Sequence, residues 1–216
     1  KSLLVLKNEF NQLRCVDHVE LVTVNRPTYT PNDPYWNTQY GLELIQADLA
    51  YDLWDIDGGE IPGEMASGEI VVGIVDNSLE WDHPDLIDNI WQNLGEDADG
   101  DGVVIVQSNG VWTFDPGDVN GIDDDGDNYV DNFIGWDVSF NDNDPMPINN
   151  QYDHGTNVAG CVSSSTNNGT GIASVGWSVK LMGINSTDDP GFVTDGYSGI
   201  LAAGHMGADV INLSWG

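Results

Sequence analysis

The sequence predicts an α/β chain built on a doubly wound parallel sheet, and three observations carry that prediction. Continuous apolar runs of strand length recur at Glu69–Val75, Ser178–Ile184 and Ala208–Leu213. Helical stretches over 154–165 and 197–207 separate them. Strand and helix in alternation with short connections give parallel pairing, and an uninterrupted apolar run marks a strand covered on both faces. The first run ends in Asp76, and open parallel sheets place function at the C-terminal ends of their strands.

Composition fits that class. The 216 residues are long enough for one sizeable core, and 40% hydrophobic content with 8 Trp and 7 Tyr is that of a globular protein. No apolar run approaches the length of a membrane span. The net charge of −31 is the unusual quantity, since 36 acidic residues face five basic ones and none of the latter lies between Arg26 and Lys180. Most carboxylates therefore lack an ion-pair partner in the chain, and must be solvated or bind cations. Such a surface disfavours nucleic acid as a partner, because phosphate binding needs basic side chains. Cys15 and Cys161 do not make a disulfide framework. Cys161 falls on the helix after His154, where a small apolar packing role is expected.

In chain order, residues 1–26 hold short apolar bursts, Leu3–Leu6 and Val19–Val22. They read as strands of a small α+β piece, with four of the five basic residues. A proline-containing connector at Pro27–Pro34 marks a boundary, leaving 27–216 as the main unit. Leu44, Ile45, Ala47, Leu49, Ala50 and Leu53 recur at roughly helical spacing, predicting a helix over Glu43–Trp54. Between Trp91 and Tyr152 periodicity nearly vanishes and Asp, Asn and Gly dominate. A loop region of that length is functional, or is held by something other than a core. Within it, Val103–Phe114 reads as a hairpin turning at Asn109-Gly110.

The acidic insertion 91–152 carries its own chemistry. Asp97, Asp99 and Asp101 stand at positions one, three and five of a run with Gly102 at six. Asp123, Asp125, Asp127 and Asp131 stand at one, three, five and nine of a second. Those are calcium-loop spacings, in which alternate residues of a tight turn bring oxygens inward. Position twelve is Ser108 in one and Ile134 in the other, so neither is an EF-hand. Carboxylates this dense repel one another, which predicts calcium as the ion that keeps the segment compact. The ordinary alternative is a solvated acidic linker.

The stretch Asp153-His154-Gly155-Thr156-Asn157-Val158-Ala159-Gly160 places an imidazole at the first turn of a helix whose small residues admit another backbone. An imidazole so held can act as a base when a carboxylate orients it. Asp76 is the candidate carboxylate. Alone, Asp76 could cap a turn and His154 could be structural.

Together the motifs resemble the subtilisin-like serine proteases, the subtilases. Val72-Gly73-Ile74-Val75-Asp76 with Trp81-Asp82-His83-Pro84-Asp85-Leu86 resembles their aspartate motif, and His154–Gly160 their histidine motif. Gly207–Gly216 resembles the passage into the substrate cleft, and Tyr29–Tyr35 with Gln39-Tyr40-Gly41 resembles the start of mature subtilases of the thermitase kind. Four motifs in family order are specific where any one is weak. The resemblance implies a serine endopeptidase in which His154 is general base and acid and Asp76 orients it. It makes Ser214, Trp215 and Gly216 substrate-binding residues.

The family's nucleophilic serine and its oxyanion-hole asparagine lie beyond Gly216 in the family pattern. The expectation is thus a subtilisin-like domain truncated at its C-terminal end, inactive as these residues alone, with the rest of the same protein as a partner. Residues 1–26 match the last portion of an inhibitory propeptide, and localisation is expected to be secreted. A further calcium site is implied by the resemblance at Asp33, Asp85 and Asn168. Two departures stand out: Asn77-Ser78 follows Asp76 where the family has a glycine, and Trp215 replaces a smaller apolar residue. The alternative is a catalytically dead subtilase fold kept as a calcium-stabilised extracellular binding module.

Overall fold

A computed structural model of the chain describes residues 3–16, 18–19, 30–52, 64–65, 68–147, 153–188 and 192–216. Its centre is a parallel sheet, and the apolar runs form it. Strands β3 (Val71–Asp76), β7 (Lys180–Asn185) and β8 (Val210–Asn212) align in parallel, with β3 in the middle. The order across the sheet is β6-β7-β3-β8, where β6 is Gly135–Asp137. Two peripheral pairs complete the strands among the described residues: β1 (Glu64–Met65) on β2 (Gly68–Glu69), and β4 (Ile105–Ser108) on β5 (Val111–Phe114).

Side chains alternate along β3, so each face needs its own cover. Val72 and Ile74 pack with Leu181 and with Ala159 of helix α4 (His154–Ser163). Val75 packs on the other face with Met182, Ile184 and Ala202 and Ala203 of helix α5 (Gly196–His205). A helix on each face is the doubly wound arrangement expected. The aromatic layer Trp81, Phe114 and Phe133 extends the α4 side, with Trp81 and Phe114 stacked at 5.4 Å.

The insertion holds more than the loop and hairpin expected of it. Phe133, Ile134 and Trp136 are buried, and β6 adds an edge strand with Trp136 opposite Ile184. A three-residue strand is too short to leave a periodic signal among so many Asp and Asn. The hairpin is as expected: Asn109 and Gly110 both take positive φ, 52° and 82°, in the tight turn between β4 and β5.

Other expectations need correction. Leu3–Leu6 lies in a helix, α1 (Leu3–Asn11), rather than a strand. Leucines favour helix over the β-branched residues strands prefer. Of the second burst, residues 20–22 lie outside the described residues. The helix expected over Glu43–Trp54 divides into α2 (Tyr40–Leu44) and α3 (Ala47–Tyr51), because Gln46 sits in the left-handed region at φ 57°. Leu44, Ile45 and Leu49 are exposed while Leu42, Ala47 and Tyr51 pack on Trp177 and Ala173. Cys161 is exposed, not packed, and both cysteines are free. His205 is exposed in the last turn of α5.

Candidate active site

The C-terminal end of β3 delivers Asp76 to the rim of the sheet, and the first turn of α4 delivers His154 beside it. The imidazole Nδ1 lies 2.7 Å from Asp76 Oδ1. The same oxygen accepts the Asn77 backbone N–H at 2.8 Å. Asp76 is 1% exposed, whereas the His154 side chain is 57% exposed. A buried carboxylate against one ring nitrogen fixes the tautomer and leaves Nε2 facing outward.

The residues after Asp76 explain how the pair is held. Asn77 Oδ1 accepts the Gly155 N–H at 3.0 Å, satisfying an amide at the open end of α4. Thr156 Oγ1 accepts the Glu80 N–H at 2.9 Å. Gly155 is required by contact, since a Cβ there would stand 2.1 Å from the Ser78 carbonyl oxygen and 2.9 Å from Asp76 Cβ. The Asn-Ser that replaces the family's glycine thus couples strand and helix directly. Sequence reasoning passed over Asn77 and Thr156 as partners, because their hydrogen bonds reach 76 to 78 residues along the chain.

The C-terminal stretch passes close by. Trp215 Nε1 donates to the Val75 carbonyl at 2.9 Å, one residue before Asp76, and its ring meets Tyr197 edge-on at 6.4 Å. Ser214 Oγ donates to Asn212 Oδ1 at 2.8 Å. Ser214 and Gly216 are exposed and Trp215 is half-buried.

Asp33, Asp85 and Asn168 also come together. Asp85 Oδ1 accepts from Asn168 Nδ2 at 3.0 Å and Oδ2 from the Ile172 N–H at 2.9 Å. Asp33 Oδ2 accepts the Asn167 N–H at 2.8 Å, while its Oδ1 is buried with no protein donor. Burial pushes both carboxyls above their ordinary range, with the Asp85 charge adding to the effect on Asp33. A buried carboxylate oxygen without a donor, beside a second buried carboxylate, is a donor set that fits a hard cation.

In the insertion, carboxylate oxygens of Asp97, Asp99 and Asp118 lie within 4.8 Å of one another, as do those of Glu96, Asp123 and Asp125. Asp101, Asp127 and Asp131 lie outside both groups among the described residues. Asp101 Oδ1 accepts the Val103 N–H and Asp127 Oδ1 the Tyr129 N–H, while Asp131 accepts from Asn120 and Gly121. Glu96 and Asp118, both fully buried, are the members that sequence spacing missed. Burial raises their carboxyls, and the neighbouring Asp125, or Asp97 and Asp99, raises them further.

The subtilase family model matches residues 67–216. The chain belongs to the subtilase family. A thermophilic serine proteinase of Bacillus sp. (strain AK1) is 30% identical over 98% of this chain and 43% of its own length. Thermitase of Thermoactinomyces vulgaris is 32% identical over 87% of this chain and 48% of its own. Halolysin of Haloferax mediterranei is 29% identical over 93% and 30%. This subtilase chain therefore spans less than half the length of those relatives. No helix among the described residues is long and apolar enough to cross a membrane.

Proposed function

We propose that the protein is a calcium-dependent, secreted subtilisin-like serine endopeptidase, in which Asp76 and His154 are two members of an Asp-His-Ser triad. The nucleophilic serine of this reading lies outside residues 1–216, so these residues alone have no peptidase activity. The observation that supports the reading most is the 2.7 Å contact between His154 Nδ1 and a buried Asp76 carboxylate. His154 Nε2 takes the serine proton during attack on the peptide carbonyl and returns it to the leaving amine. Asp76 keeps the imidazole in the productive tautomer and stabilises the imidazolium. Ser214, Trp215 and Gly216 line the substrate side, and residues 1–26 act as the remnant of an inhibitory propeptide.

Calcium in this reading is structural. Asp33, Asp85 and Asn168 hold one ion that joins the region before α2 to the loop after α4. Asp97, Asp99, Asp123 and Asp125 hold ions in the insertion. Bound there, calcium neutralises oxygens that would otherwise repel.

A serine-directed fluorophosphonate applied to the protein with its downstream sequence tests the triad. Wild type should label, and His154→Ala should lower labelling by at least about 10³-fold, the scale of losing a triad member. Equal labelling of the two proteins overturns the assignment of His154. Absent labelling in both favours the dead-fold alternative.

A further inference from the structure

The two acidic loops are copies of one device. In the first, Asp97 Oδ1 accepts the Gly100 and Asp101 N–H groups and Oδ2 that of Gly102, while Asp99 Oδ1 accepts that of Asp101. In the second, Asp123 Oδ1 accepts Gly126 and Asp127, Oδ2 accepts Asn128, and Asp125 Oδ1 accepts Asp127. The turns before them repeat as well. Asn93 Oδ1 accepts the Gly95 N–H and its carbonyl that of Glu96; Asp115 Oδ1 accepts Gly117 and its carbonyl Asp118.

The turns and loops are paired crosswise. Asp118, from the second turn, sends Oδ1 to the Ala98 and Asp99 N–H groups of the first loop. Glu96, from the first turn, sends Oε1 to the Asp124 and Asp125 N–H groups of the second loop. Close approach at the preceding glycines matches: a Cβ on Gly117 would stand 2.2 Å from Asp99 Oδ2, and one on Gly95 would stand 2.7 Å from Asp125 Cβ. Each convergent carboxylate group therefore draws one fully buried member from the turn that leads into the other loop.

One oxygen points to an ion directly. Asp118 Oδ2 is buried, has no donor, and belongs to the carboxylate that converges with Asp97 and Asp99. An anionic oxygen removed from water without a partner is costly unless a cation meets it. Glu96 is more fully engaged, with Oε2 accepting the Asp131 N–H. A carboxylate offers about four lone-pair positions, so the three amide donors to Glu96 leave about one for a metal.

We propose that the insertion is a crossed two-cation clamp in which loading either site raises the affinity of the other. The proposal rests on the calcium reading above and adds the wiring between the sites. An ion at Asp97, Asp99 and Asp118 fixes the chain at Asp97, peptide-bonded to Glu96 of the second site. An ion at Glu96, Asp123 and Asp125 fixes Asp123, five residues after Asp118 of the first. Binding energy spent ordering one site thus pre-pays the ordering of the other, and the coupling is reciprocal.

The test is hydrogen-exchange mass spectrometry of the whole protein, freed of metal by chelation and titrated with calcium chloride. Peptides over 97–103 and 123–129 are read separately. The variants are Asp99→Asn and Asp125→Asn, both at exposed positions. Asp99→Asn should raise the calcium midpoint for protection of 123–129 at least about fivefold, and Asp125→Asn should do the same to 97–103, the lower end of common coupling factors. If each variant shifts only its own loop, the crossed coupling is overturned while calcium binding stands. If wild type gains no protection in either loop on adding calcium, the calcium reading of the insertion falls and the clamp with it.

Discussion

The parallel sheet and the acidic insertion sit side by side and are held by opposite means. At the centre of β3, Ile74 and Val75 are at most 1% exposed and are covered by helices on both faces. In the insertion, the loops 97–102 and 123–131 are organised by carboxylates accepting backbone amides. Burying apolar surface stabilises by roughly 25 cal/mol per Å² with or without a bound ion. Carboxylate caps depend on ionisation and on countercharge. One chain thus carries a frame that needs no ion and a conditional attachment, joined where Val104, Ile105, Phe133, Ile134 and Trp136 enter the core.

Removing calcium should separate the two most sharply. Two ions in the insertion, each at a hundred times its Kd, would contribute about 2.7 kcal/mol apiece, or roughly 5 kcal/mol together. Chelation should collapse protection of 97–103 and 123–129 while amides of β3 and β7 stay protected. Uniform loss across sheet and insertion would remove the distinction.

Gly155→Ala should act in the reverse direction. Its Cβ would press on the Ser78 carbonyl and on Asp76, at the junction of β3 and α4. Overpacking of that kind costs about 1–3 kcal/mol, and a displacement near 1 Å at catalytic groups can cost on the order of 10² in rate. On the proposed triad, peptidase turnover of the protein with its downstream sequence should fall by about that factor with calcium midpoints in the insertion unchanged. A variant with wild-type turnover would break the link between this close approach and the Asp76–His154 geometry.

The sheet was legible because its signal is local. Val71–Val75 and Leu181–Ile184 are continuous apolar runs, and each became a strand. The Asp76–His154 contact was legible through motif rather than periodicity, since 78 residues separate the two. Three kinds of feature were not. Gln46 broke a helix through a single left-handed residue, which apolar spacing does not encode. The β6 strand is only three residues long. Glu96 and Asp118 reach their loops 28 and 20 residues away, and a carboxylate's role there depends on folding of the turn that carries it. The repeated Asn/Asp-x-Gly-Glu/Asp of 93–96 and 115–118 was the available signal.

The smallest expected effect concerns pH, and its sign depends on metal. Burial raises the carboxyls of Glu96, Asp118 and Asp127 in the folded insertion, with like charges nearby adding to it. A carboxyl whose folded pKa lies above its unfolded value binds its proton more readily when folded. The stability it lends is therefore complete below the unfolded pKa and is lost as pH rises through the folded one. Without calcium, the insertion should tighten as pH falls from neutral into the ordinary carboxylate range. With calcium, the same protons displace the ion, so acid should loosen it. Exchange protection of 123–129, corrected for the intrinsic pH dependence of exchange, should shift in opposite directions in the two conditions. Amides of β3 should follow neither trend, because the strand pairs with β7 and β8 and not with the insertion's loops. Parallel pH responses with and without calcium would mean that the buried carboxylates are satisfied by protein amides alone.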